Sequence, residues 1–143
     1  MALNFANNNS LSAITALPAS ISGGGLNLIS TQTASSSSSL SFTSGIDSTY
    51  KEYIFKFINL HPSNNDVVFQ TNFRDGGSAF DAVKTTTNFE ATHTESGTSG
   101  FKYGTGDVIA QGTGSQRTGL VGSDNDESLS GYLHLFEPSS TTF

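Results

Sequence analysis

The chain has no cysteine among its 143 residues. Disulfide staples and thiolate chemistry are excluded, so the fold must stand on packing and hydrogen bonds. Charge is scarce as well: only 13% of residues are Asp, Glu, Lys or Arg. Six basic residues, Lys51, Lys56, Arg74, Lys84, Lys102 and Arg117, are scattered among twelve acidic ones, for a net charge of −6. Nucleic acid and anionic membrane surfaces are held by clustered Lys and Arg. Neither is an expected partner here. No apolar run reaches the roughly 18 residues of a membrane-spanning helix. The opening "MALNFANNNSLSAITALPASISGGG" lacks the basic start and unbroken apolar core of a signal peptide.

Serine, threonine, asparagine and glycine fill the space that charge leaves. The apolar fraction is 34%, and the 15 glycines bring the chain close to the composition of an ordinary domain. Eleven Phe and four Tyr carry much of the expected burial, at roughly 150–250 Å² each. The length fits one domain.

Residues 1–25 read as an N-terminal arm. Ser10 offers a helix cap, Leu11, Ile14 and Leu17 follow at three-residue spacing, and Pro18 stops any helix. "SGGG" then frees the backbone. From Leu26 the period becomes two. "LNLISTQT" and "SLSFT" alternate, which predicts strands on either side of the serine run 35–39, itself an exposed loop. "KEYIFKFINL" is the strongest strand. Tyr53, Phe55 and Phe57 share one face, Ile54, Ile58 and Leu60 the other, a pattern expected of a central strand between two layers. The turn Asp75-Gly76-Gly77 predicts a hairpin pairing 67–73 with 78–86. Residues 92–107 read as a long loop or weak edge strand, 107–122 as holding one short strand, and "GYLHLFE" as a last strand. Short strands, many turn residues and no long helix predict an all-β antiparallel sandwich, jelly-roll-like, spanning 26–143.

The segments "TQTAS…SFTSGIDSTY" and "FKFINLHP", continued by "DGGSAFDAVKTTTNFEATH" and "LSGYLHLFEPSSTTF", carry a family resemblance. The chain resembles virion structural proteins of marine tailed phages, cyanophage-like, over nearly its whole length. The resemblance implies a tail, fibre or head-surface component of the particle, located in the virion, with no catalytic residue. Members of that family continue past the point matching "EPSSTTF" with more strands. The expectation is a short member or part of a longer protein, whose open sheet edges another chain would cover.

Candidate chemical sites are weak by comparison. "SDNDES" places Asp124, Asp126 and Ser128 at alternate positions, as calcium loops do. Yet Leu129 stands where such loops need glycine, and Leu135 where they need a bidentate Glu. His61, His93 and His134 are far apart in sequence. No nucleophile elbow frames a serine, and the glycine-rich stretch 104–119 matches neither phosphate-binding fingerprint. No metal, cofactor or enzymatic activity is expected. Tyr50, Tyr103 and Tyr132 are candidate glycan contacts, because sugar-binding modules stack pyranose rings on aromatics. The expected function is assembly into a particle with other virion proteins. The β-domain would form a homo-oligomer, a trimer by expectation, and Leu11, Ile14 and Leu17 of the arm would contact a neighbour. The alternative is a carbohydrate-binding host-recognition module of a tail fibre.

Overall fold

The structure is a computed structural model and describes residues 25–140. It divides into two units, Met1–Gly45 and Ile46–Phe143. The arm residues Leu11, Ile14 and Leu17 lie outside the described residues.

In the first unit, residues 25–45 form no strand. The strands expected around Leu26 and Leu40 are therefore a correction. A strand needs a ladder to take its backbone groups, and this segment turns to local bonds instead. The Gln32 side-chain amide donates to the Ser41 carbonyl (2.9 Å), and Ser37 Oγ to the Ser39 carbonyl (2.7 Å). The serine run is exposed, as expected.

In the second unit the described residues are all strand, turn and loop, with no helix. Six strands follow in order: β1 (Glu52–Leu60), β2 (Val67–Thr71), β3 (Phe89–His93), β4 (Ser99–Tyr103), β5 (Gln116–Val121) and β6 (Leu129–Phe136). They pair antiparallel as β1–β6, β2–β5 and β3–β4, three two-stranded sheets nested one inside the next. β1 thus has one ladder partner, and its expected place as a central strand is corrected.

The outer ladder sets Tyr53 opposite Leu135, Phe55 opposite Leu133 and Phe57 opposite Gly131. A bulge follows Phe57. Asn59 takes the left-handed conformation there (φ 50°), which Asn tolerates better than most residues. Its N–H finds Ser130 Oγ at 3.0 Å. His61-Pro62 ends the strand, since proline has no N–H for a ladder.

The middle ladder also carries a bulge. Phe69 faces Gly119 but Gln70 faces Arg117, so Thr118 is the extra residue. The Thr118 hydroxyl donates to the Phe69 carbonyl (3.3 Å), replacing a ladder bond. The pairing of 67–73 with 78–86 is a further correction. Gly76 does turn, with φ 109°. Residues 78–86 form no strand, however, and only Lys84 bridges, to Gly112. One backbone bond joins the two segments, Ala82 N–H to the Phe73 carbonyl (3.0 Å); the rest turn elsewhere, Thr86 N–H to the Ile109 carbonyl (2.8 Å) and Lys84 Nζ to the Gly114 carbonyl (2.8 Å).

The segment 92–107, expected as a long loop or weak edge strand, carries β4, which pairs with β3 in an inner hairpin. Gly97 (φ 85°) closes its turn, and Gly97 N–H donates to the Thr94 carbonyl (2.9 Å).

The core is small. Among the described residues only two large hydrophobic side chains are buried, Tyr53 at 4% and Val121 at 6% exposure. Phe57 and Phe69 meet edge to face (4.9 Å), tying β1 to β2. The Tyr53 hydroxyl also closes the 47–53 corner, accepting from Asp47 N–H (3.0 Å) and donating to the Asp47 carbonyl (2.9 Å).

Thr49 and the Tyr53 hydroxyl hold the Asp47 carboxyl below its ordinary value near 3.8, with the Thr49 bonds the larger cause. A lowered folded-state value adds stability above the ordinary value, which is lost as pH falls through the folded one. Asp47→Asn should therefore flatten the acid limb of the stability profile below about pH 4. Urea midpoints of both proteins between neutral and acid pH check this. An unchanged limb would show that the corner does not select the carboxylate.

Candidate interaction surfaces

The outward face of β1–β6 is a row of rings. Alternation along β6 sends Leu133 and Leu135 inward and Tyr132, His134 and Phe136 outward. The His134 ring lies 6.5 Å from Tyr132 and 6.2 Å from Phe136, nearly parallel to the latter. Glu52 opposes Phe136 in the register, and its carboxylate reaches the next ring along. His134 Nδ1–H donates to Glu52 Oε1 at 2.6 Å. Because a carboxylate only accepts, this bond places a proton on Nδ1. Lys56 Nζ sits 5.5 Å from the centre of the Tyr132 ring, a cation–π contact. Ile58, on the same face, is exposed.

The β3–β4 hairpin has a second aromatic face. Phe89 opposes Tyr103, and Ala91 opposes Phe101. Their side chains share one face by period two. Phe89 lies 4.5 Å from Tyr103, tilted to it, and stacks 6.1 Å from Phe101. All three rings are exposed, Phe101 at 70%. The opposite face carries Thr92 and the Glu90–Lys102 ion pair (3.3 Å). A two-stranded hairpin has little stability of its own in water. Leaving three rings wet makes that worse.

The three tyrosines named as glycan contacts fall into separate ring clusters. Tyr50 meets Tyr53 edge to face (5.8 Å), Tyr103 lies tilted against Phe89, and Tyr132 belongs to the β6 row. The 123–128 segment closes on itself. Glu127 Oε2 accepts from Asp124 N–H (3.1 Å), and Glu127 N–H donates to the Asp124 carbonyl (2.9 Å). Glu127 is thus held in the turn, and no cluster of metal-ligating side chains occurs among the described residues. His61 Nε2–H donates to the Asp124 carbonyl (2.9 Å), and His93 is exposed at the end of β3.

The hairpin face is easily missed in the sequence because 92–107 offers few core candidates beyond Phe101 and Tyr103 and so reads as a long loop or weak edge strand. The period-two signal at Phe89, Ala91 and His93, followed by Phe101 and Tyr103, was there to find. Comparison with known proteins finds no matching family model, no matching curated protein and no matching solved structure.

Proposed function

We propose that this chain is a structural component of a phage particle, a tail, fibre or capsid-surface protein. It assembles through its β-domain and its N-terminal arm. One observation carries the assembly part of the reading. Two of the three sheets carry exposed aromatic rows, yet only Tyr53 and Val121 are buried among the large hydrophobics of the described residues. Burial is the main favourable term in folding, and a chain that buries this little alone gains more from neighbours. The resemblance to virion structural proteins supplies the kind of neighbour.

The architecture we read from the nested ladders is a jelly-roll-like antiparallel sandwich. Winding one long hairpin around itself yields the same nested pairing, first strand with last. In this reading the oligomer is a trimer, other virion proteins are its partners, and neither nucleic acid nor a membrane takes part. Leu11, Ile14 and Leu17 lie against an adjacent subunit, ordering as they bind. No residue is assigned a catalytic role.

A phage carrying a deletion of residues 1–25 tests both parts. Quantitative mass spectrometry of purified particles should show copy number falling at least about tenfold, while the isolated variant keeps its β-sheet circular dichroism. Normal incorporation of the deletion would remove the arm from the mechanism. Absence of the full chain from wild-type particles would end the proposal.

A further inference from the structure

A groove of about 490 Å³ lies beside β5, with the β3–β4 hairpin along its other side. Its size falls within the usual range for small-molecule sites. On the β5 side the bulge decides what faces it. Unbroken alternation would put Arg117 on the face of the buried Val121. The extra residue Thr118 reverses the parity, so Arg117 joins Leu120 in lining the groove.

Arg117 is met there by Asp107, whose backbone is pinned. Asp107 N–H donates to the Gly104 carbonyl (2.9 Å). The Gln116 amide donates to the carbonyls of both Asp107 (2.7 Å) and Arg117 (2.6 Å). Arg117 Nε stands 2.9 Å from Asp107 Oδ1, but that oxygen accepts no aligned hydrogen bond. The guanidinium is therefore held in place by charge without a fork-to-fork match. Its terminal N–H groups have no hydrogen-bond partner among the described residues. Across the groove stand Asn88 and the Glu90–Lys102 pair, on the polar face of the hairpin.

We propose that this groove binds a neutral saccharide. Two carboxylates and two cations line it, so the local charge sums to zero. A phosphate or sulfate group meets Glu90 and Asp107 as well as Arg117 and Lys102, and a metal cation meets the reverse. A sugar suits both kinds of wall. Its hydroxyls give and take hydrogen bonds with carboxylate and guanidinium, and its C–H face packs on the cross-strand pair Val68 and Leu120. The site is a different one from Tyr50, Tyr103 and Tyr132, and it stands independently of the assembly proposal.

The test titrates the full chain with cello-, laminari- and manno-hexaose, and with a heparin hexasaccharide as the charged counterpart. Readouts are calorimetry and amide chemical shifts. At least one neutral hexaose should saturate with a Kd of about millimolar or tighter. Shifts should gather at residues 88–90, 102, 107 and 117–120. Arg117→Ala and Leu120→Ala should each weaken binding about tenfold or more. Arg117→Lys should not restore it, because Lys lacks the planar fork. Tyr132→Ala should bind like wild type. Should Arg117→Ala fail to fold, the wild-type shift map decides alone. No saturation by any neutral hexaose at about 10 mM, shifts centred elsewhere, or binding of heparin only would each overturn the assignment.

Discussion

Tyr53→Ala should bring the second unit close to unfolding. Tyr53 is one of two buried large hydrophobics among the described residues, and its hydroxyl binds both backbone groups of Asp47. Truncating a buried aromatic to alanine costs about 3–5 kcal/mol in well-packed domains. A domain holds only about 5–15 kcal/mol in total. Tyr53→Phe separates the two contributions. It keeps the ring and removes the hydroxyl, leaving the Asp47 N–H and carbonyl without their partner, at about 1–2 kcal/mol. Urea denaturation followed by circular dichroism measures both. A Tyr53→Ala midpoint equal to wild type would mean that stability resides elsewhere. Comparable losses for the two variants would place the contribution in the corner bonds and not in ring burial.

Phe101→Asp should dissolve the proposed oligomer while sparing the monomer. Phe101 is mostly exposed and leans only on a neighbouring ring, so a charge there costs the isolated chain little. Buried against a neighbour, the same carboxylate loses its hydration without a partner. Loss of an interface anchor is worth about 2 kcal/mol or more, roughly thirtyfold in dissociation constant. Sedimentation equilibrium should show the mass falling to the 15.0 kDa monomer. Thr92→Asp, on the other face of the same hairpin, should leave the oligomer intact. A wild-type chain that is monomeric at about 100 µM, or equal effects of the two substitutions, would remove this face from assembly.

Part of this architecture was legible in the sequence. β1 and β6 alternate aromatic and aliphatic residues cleanly, and both occur where the pattern puts them. The short strand expected within 107–122 is β5. Leu26 and Leu28 alternate too, but alternation describes only a face. It does not supply a ladder partner, and Ser37 in the run that follows donates to the nearby Ser39 carbonyl. The Asp75-Gly76-Gly77 turn forms, yet a turn fixes chain direction without obliging the next segment to pair. Lys84 and Thr86 found carbonyls around 109–114 instead. Strand order was out of reach for a related reason. Nested pairing joins segments distant in sequence, and no local signal marks which distant strand will win.

The groove was equally hidden. Its residues come from β2, β3, β4, β5 and the loop before β5, with no motif spacing among them. Arg117 would be placed on the wrong face by simple alternation: Gly119 inside β5 signals a bulge, but not that Thr118 is the residue it adds.

The nesting also sets a timetable for synthesis. The ribosome must finish residues 61–128 before β6 emerges to meet β1. At about 5–20 residues per second, Tyr53, Phe55 and Phe57 spend several seconds as unpaired nascent chain. The β3–β4 turn, by contrast, can close as soon as it leaves the exit tunnel. Holding factors should therefore engage the nascent chain around β1, and translation pauses placed before residue 129 should lower the soluble yield.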